Sequence, residues 1–453
     1  MIAPLKKRLP ACKIVALHVD SVFRGNAGKN SDIAAWYPDS PMTIQDFLAQ
    51  EIPETPASSI KIIEWRPALN IYGEKYVNAL SEAADFIKRS DAQWRTAAVY
   101  GRRWLRNFFK NLAILSDILM YKPDTKVVIV SGSGPGLETL LPRIREMRSR
   151  ALILASSSSL LALRRGGICP DLVISTDGGA WALCHLYPCI RHTMPIRGIA
   201  LNLCAALPSQ CAGYPLLILN DGSLWQTLVL SALGIPSLVT GQRGTVTASA
   251  VEAALELSTG PVFMAGVDLS NSDIRTHARP YGFDHLLYGA ANRLNPLYGQ
   301  YFRRAYGISG GQSLNIYASW FKNNLPHWPK RIFTLDTKSS VFEKAQEEIV
   351  PEQGAISSYQ AEAQTAAHNE FLHQIRLASG KKSFSVQAAD ILIHALEDPR
   401  YAEPLHRELS ALLFHGVREV TAGMIAGELD KIGRHYITQY TIPDPYKSGQ
   451  AEQ

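Results

Sequence analysis

The sequence predicts an α/β protein whose mainly parallel central sheet carries helices on both faces, flanked by an N-terminal α/β region and a helical C-terminal region. Three observations carry that expectation. Short branched apolar runs alternate with helical segments between residues 127 and 266. Such alternation builds parallel sheets, and runs apolar along their whole length suit strands covered on both faces. After Phe333 the short runs give way to long segments of helical spacing.

The N-terminal region, residues 1–123, opens with a strand over 13–19 and polar sequence through Asn30. Pro38, Pro41, Pro53 and Pro56 make 38–57 irregular around one short helix, and Lys61 to Trp65 reads as a strand. Helical patterns follow over Tyr76 to Arg89 and Arg102 to Leu119. The central region, residues 124–336, has strand candidates at 127–131, 151–155, 172–176, 194–199, 216–220, 237–240 and 262–266. Helices are expected at 138–147, 158–165, 224–233 and 246–258. The C-terminal region, 337–442, holds helical candidates at Lys338 to Ile349, Ser358 to Ala378, Val386 to Leu396 and Pro404 to Tyr436. It is expected to pack on the sheet or to form a subunit interface in a homo-oligomer, ahead of a flexible tail over 443–453.

With 453 residues, 46% apolar and 19% charged, the chain has a soluble globular composition. A net charge of +6 suits a small anionic substrate, a weak membrane-surface attraction or an ordinary surface bias. Long Lys/Arg blocks are absent, so a nucleic-acid partner is not expected. No apolar run approaches the roughly 18 residues of a membrane span. The run IVALHV reads as a strand rather than a signal peptide, and the expected location is the cytoplasm. None of the six cysteines forms a CxxC pair, and Cys184, His185, Cys189 and His192 match no common zinc spacing.

The stretch VVIVSGSGPGLETLLPRI, residues 127–144, joins a buried strand to a helix through a glycine-rich turn. Gly132, Ser133, Gly134, Pro135 and Gly136 can aim backbone N–H groups at a phosphate, or serve only close strand–helix packing. The spacing is not a dinucleotide fingerprint, and the lysine of a P-loop is missing. Three acids follow apolar runs, where side chains meet ligands at sheet C-termini. They are Asp177 after LVIST, Asp221 after LLILN and Asp268 after VFMAGV. Each can bind ribose, substrate or a cation, or shape a turn.

A second loop-to-helix junction, GQRGTVT over 241–247, places Gly241 and Gly244 in a turn and Thr245 at the helix cap. Its Arg243 can make a bidentate contact to phosphate or carboxylate. Further on, His277 is flanked by Arg275, Thr276 and Arg279. Its near-neutral reference pKa suits a base or an aid to leaving-group departure, with Asp268 orienting it. Tyr306 and the GISGG stretch after it can close over the site.

The glycine turn, LILASSSSLLALRRGGICPDLVISTDGG at 152–179, TGQRGTVTASAVEAALELSTGPVFMAGVDLS at 240–270 and RTHA at 275–278 together resemble the DUF115 proteins. These include the motility-associated Maf glycosyltransferases of bacterial flagellins, and archaeal 6-hydroxymethylpterin pyrophosphokinases share the core pattern. The resemblance covers residues 125–290, and 95–112 resembles the region preceding the core in Maf-like proteins. Matching positions are Gly132 to Pro135, then Gly167, Ile168, Pro170 and Asp171, then Gly266, Asp268, Leu269, Thr276 and His277. Val267 and Ser156 depart from the common pattern, which has Gln at the first and Asp or Asn at the second.

The resemblance implies a Rossmann-like core and transfer of a nonulosonic acid, of pseudaminic or legionaminic type. The donor would be a CMP-activated sugar and the acceptors Ser or Thr hydroxyls of flagellin or a related protein. It implies a sugar nucleotide as donor substrate and no permanent cofactor. If Mg²⁺ or Mn²⁺ takes part, Asp177 and Asp268 are its candidate ligands. The alternatives are a pterin pyrophosphokinase-like diphosphate transferase and a non-catalytic sugar-nucleotide-binding flagellar accessory protein.

Overall fold

The structure is a computed structural model. It describes residues 2–436 apart from 11, 25–32, 53–58, 193, 242–244, 270–273, 307–309, 326–327, 337–340, 343–371, 377–382, 416 and 418. The strands are β1 (Val15–Leu17), β2 (Ala34–Trp36), β3 (Asp117–Tyr121), β4 (Val127–Ser131), β5 (Ala151–Ser156) and β6 (Leu172–Ser175). They continue with β7 (Gly198–Asn202), β8 (Leu216–Asn220), β9 (Leu238–Val239), β10 (Val262–Ala265), β11 (Ile332–Thr334) and β12 (Leu372–Arg376).

The chain divides into two compact units: Met1–Arg102 with His406–Val420, and Arg103–Leu405 with Thr421–Gln453. In the first, β1 and β2 pair in parallel. Ile44, Phe47, Leu48, Ala79, Ala83 and Phe86 form its buried core. The expected strand at 61–65 is absent; those residues have no regular structure.

The second unit is the predicted α/β body. Its sheet runs β11-β10-β4-β5-β6-β7-β8-β3-β12, with β9 also on β8. Every pairing is parallel except that of β12 with β3. Strands β4 to β8 are buried nearly end to end, which is why their sequences read as continuous apolar runs. The expected strand at 194–199 starts later, at Gly198 in β7, since Pro195 has no N–H to give to a ladder.

Four further expectations are corrected. Residues 117–119, read as the end of a helix, begin strand β3; a short run such as DILMY has no periodicity that separates a buried strand from a buried helix. The helix Glu74–Ala113 replaces the two helices expected there. Leu372–Arg376, inside the segment read as helical, forms β12, while 343–371, which holds most of 338–349 and the start of 358–378, lies outside the described residues. Pro404 to Tyr436 is two helices, Ala402–Leu413 and Ala422–His435. Helices Phe384–Glu397 and Ala422–His435 belong to the same unit as the sheet, and Ser385 donates to Gly433 O at 3.1 Å. Among the described residues no helix is long and apolar enough to cross a membrane.

The C-terminal part of helix Glu74–Ala113 buries Leu105, Phe108, Phe109 and Leu112, the i, i+3, i+4, i+7 face of an amphipathic helix. The same helix fastens the strand-end loops. Asn107 donates to Gly178 O (3.1 Å) and Cys204 O (2.9 Å), and buried Asn111 donates to Leu203 O (2.8 Å) and Ala205 O (2.9 Å). Sequence reasoning gave these asparagines no role, since carbonyl acceptors brought together by folding leave no local signature.

Candidate active site

Strand order reverses at β4. The chain runs outward from β4 through β5, β6, β7 and β8, while β10 and β11 lie on its other side. Open parallel sheets hold ligands beyond the strand C-termini at such a point. The glycine turn leaves β4 there, and Asp268 follows β10.

The turn is not an array of unpaired donors. Gly132 N–H donates to Ala265 O and Gly134 N–H to Gly266 O, both at 2.8 Å. Gly136 N–H reaches the two oxygens of Asp268 at 3.2 and 3.0 Å. Pro135 has no N–H. The N–H groups of these three glycines are therefore bonded within the fold rather than held open for phosphate. A Cβ on Gly134 would lie 1.9 Å from Asp268 Oδ2 and 2.8 Å from Gly266 O. Close approach of two strand-end loops is what the glycine supplies. Asp268 itself occupies the place of an anion at the start of helix Leu137–Met147.

The acid beside Asp268 is Asp336, which follows β11 and escaped the sequence reading. Its carboxylate accepts from Gly266 N–H (3.3 Å) and from the Thr334 hydroxyl (3.1 Å). Burial raises the pKa of both acids, and repulsion from Asp268 adds to the rise at Asp336. The expected convergence of Asp177 with Asp268 is corrected by the sheet order. Asp177 follows β6, three strands from β10, about 14 Å away at the usual strand spacing. Asp177 accepts from Gly179 N–H at 2.7 Å. Asp221 closes another turn, accepting from Ser223 N–H (3.0 Å) and Gln226 (2.8 Å). Among the described residues no three His, Cys, Asp or Glu side chains are grouped to hold a metal ion.

His277 makes no hydrogen bond to Asp268 among the described residues. Its ring stacks on Tyr281 at 4.1 Å, and Nδ1 is 2.8 Å from the Thr276 hydroxyl. Burial pushes its pKa down to about 3, with Arg304 and His185 adding to the fall. His185, between Tyr281 and Phe283, is pushed down to about 4, again chiefly by burial. Both imidazoles are neutral at pH 7.

Three arginines share this depression with His277. Arg275 pairs with Glu138 at 3.0 Å. Arg279 lies 4.4 Å over the Tyr301 ring, and Arg304 5.2 Å over Tyr281. Among the described residues neither guanidinium has a carboxylate partner. Asp284, the acid of the depression, is engaged by Tyr301 (2.8 Å) and Tyr281 N–H (3.0 Å). Tyr281 and Arg304 were not singled out from sequence, because helix Leu297–Tyr306 returns Arg304 to a loop more than twenty residues earlier.

Arg243 and Gly244 lie outside the described residues. Gly241 N–H donates to Glu252 at 3.0 Å. Thr245 precedes helix Val246–Leu257 at the cap position, but its side chain makes no capping bond, which corrects the expected cap. Tyr306 is 56% exposed and sits 5.2 Å from Phe302. The stretch expected to close over the site lies outside the described residues at 307–309, and Gly310 starts the next helix. Asp171 belongs to the opposite edge of the sheet, before β6, where it accepts from Ile153 N–H at 2.8 Å and pairs with Arg148 at 3.0 Å.

The two histidines predict an acid-sensitive fold. In the unfolded chain they take up protons near pH 6.5, whereas in the fold they do so only near 4 and 3. The unfolded state binds more protons between these limits, so stability is lost as pH falls from 6.5 towards 3. Asp268 and Asp336, with raised pKa values, act in the opposite sense just above 3.8. Urea melts from pH 7 to 5 should show falling stability, and a shallower fall in His277→Phe. An identical slope in the variant would remove His277 from this account.

Residues 102–273 match the family described as 6-hydroxymethylpterin diphosphokinase MptE-like. This segment, less than half of the chain, is the part that is similar to that family. It holds the glycine turn and Asp268 and stops short of His277. The chain is 27% identical over 386 residues to an uncharacterized protein of Treponema pallidum (strain Nichols), covering 80% of this chain and 83% of that one. A second protein of that organism is 27% identical over 116 residues, or 25% and 54% of the two chains. Among solved structures, the MAf glycosyltransferase from Magnetospirillum magneticum AMB-1 aligns with a TM-score of 0.47 and 13% identity. That alignment covers 92% of this chain and 66% of the other, just under two thirds.

Proposed function

We propose that this protein is a transferase that moves a nonulosonic acid, of pseudaminic or legionaminic type, from a CMP-activated donor to Ser or Thr hydroxyls of flagellin or a related protein. The observation that carries the reading is the pair Arg279 and Arg304, over aromatic faces beside His277 and without carboxylate partners among the described residues. Such a donor brings a sugar carboxylate and a phosphate ester, two planar or tetrahedral anions that guanidinium groups bind through paired N–H bonds.

Transfer breaks the bond between the anomeric carbon and the phosphate oxygen, and CMP departs with the bonding electrons. The acceptor oxygen bonds to the anomeric carbon and gives up its proton. Arg279 and Arg304 offset the charge that grows on the departing phosphate. Burial keeps His277 neutral at pH 7. A bound anion beside it raises its basicity, which fits it to take the acceptor proton.

A second reading, diphosphate transfer from ATP, is favoured by Asp268 and Asp336, whose adjacent carboxylates are hard ligands for Mg²⁺ carried by a nucleotide. The family description points the same way.

Calorimetry of the full chain separates these readings. CMP and a CMP-nonulosonate should bind with EDTA present, and Arg304→Gln should weaken that binding roughly 10- to 100-fold, the worth of one charged hydrogen-bonded contact. Binding of ATP alone, and only with Mg²⁺, would move the assignment to diphosphate transfer. CMP-sugar binding without transfer to any flagellin would leave a non-catalytic sugar-nucleotide-binding protein.

A further inference from the structure

A row of serine hydroxyls crosses from β5 to the glycine turn. Ser158 donates to Ser133 at 2.9 Å, and the hydroxyls of Ser156 and Ser158 lie 3.2 Å apart. A hydroxyl has one hydrogen to give. The hydrogen of Ser158 is spent on Ser133, so the bond between Ser156 and Ser158 is donated by Ser156. Ser156 is 1% exposed and starts the row away from solvent. The hydrogen of Ser133 is the one with no acceptor among the described residues. Each donor polarises the next, so the terminal O–H is the strongest donor of the three.

The row ends at the reversal of strand order, where a ligand is expected. Ser133 O accepts from Ala278 N–H at 2.8 Å, which ties it to the loop that carries His277 and Arg279. The end of the second strand of such a sheet is also where a dinucleotide-binding domain places an acid for ribose hydroxyls. Uncharged serines occupy it in this chain, at Ser156 to Ser158. A carboxylate there would repel phosphate; a donor hydroxyl attracts it. The glycine N–H groups are already bonded, and the Ser133 hydroxyl is a donor that this side of the crevice still offers.

We infer that Ser156, Ser158 and Ser133 form a hydrogen-bond relay whose terminal hydroxyl binds a phosphate oxygen of the nucleotide substrate. Ser133 touches the ligand, and Ser156 and Ser158 are positioning residues that act through it. The inference rests on the reading of the site as one for a phosphate-bearing donor.

The test compares CMP with cytidine, and ATP with adenosine, on wild type, Ser158→Ala, Ser133→Ala and Ser158→Thr by calorimetry. Wild type should bind at least one nucleotide more tightly than its nucleoside. Ser158→Ala and Ser133→Ala should weaken nucleotide binding about 5- to 10-fold, leave nucleoside binding unchanged, and keep the wild-type melting profile. Ser158→Thr retains the hydroxyl and should restore most of the affinity. Equal weakening for nucleotide and nucleoside, unchanged nucleotide binding in both alanine variants, or no preference of wild type for the phosphorylated form would each overturn the relay. If Ser158→Ala is poorly folded, Ser133→Ala and Ser158→Thr decide by the same comparison. Serine-dependent binding of ATP in place of CMP would sink the glycosyl-transfer reading and leave the serine subsite standing.

Discussion

Asp171→Ala should lower the stability of the sheet-bearing unit by about 1–3 kcal/mol, the usual cost of leaving a buried donor without its acceptor. The carboxylate is 1% exposed and accepts from Ile153 N–H at 2.8 Å. It also faces Arg148 at 3.0 Å and Arg197 at 3.6 Å. Alanine would leave a buried N–H unpaired and two guanidinium groups without the charge between them. Asn keeps an acceptor for Ile153, so Asp171→Asn should lose less. Because Asp171 precedes β6, at the edge away from the strand C-termini, the folded fraction of either variant should bind nucleotide normally. Chemical denaturation measures the loss, and equal stability of the alanine variant and wild type would refute the structural role. A selective loss of nucleotide binding in a stable variant would make Asp171 a ligand residue instead.

The second large effect is expected at Gly134→Ala. The added carbon would lie 1.9 Å from Asp268 Oδ2 and 2.8 Å from the carbonyl oxygen of Gly266. Asp268 is held on Gly136 N–H, and Gly266 has φ of 67°, so neither side yields freely. Overpacking of this kind costs about 1–3 kcal/mol, and separating the two loops adds to it. Asp268→Ala removes one obstruction but not the Gly266 carbonyl. The double variant Gly134→Ala, Asp268→Ala should therefore be more stable than the sum of the single losses implies, by about 1 kcal/mol. Strict additivity in a thermodynamic cycle would show that the two residues do not meet.

Much of the body of the protein was legible because its physics is local. Val127–Ser131, Ala151–Ser156 and Leu216–Asn220 are apolar along their length, as strands buried on both faces between helices are. The glycine turn and the acids at strand ends were visible for the same reason. Boundaries failed where a short apolar run fits two structures, as at DILMY, or where pairing came from afar, as at Leu372–Arg376.

The sequence by itself determined the parallel sheet, the position of the glycine turn and the acids and arginines available to a site. Tertiary structure alone decided how they are spent. It bonded the glycine N–H groups to the loop after β10 and set Asp336 rather than Asp177 beside Asp268. It also brought Arg304 over Tyr281 and aligned Ser158 with Ser133. The physical reason is strand order: side chains at strand ends become neighbours according to which strands pair, and pairing is settled by packing of the whole sheet rather than by spacing along the chain.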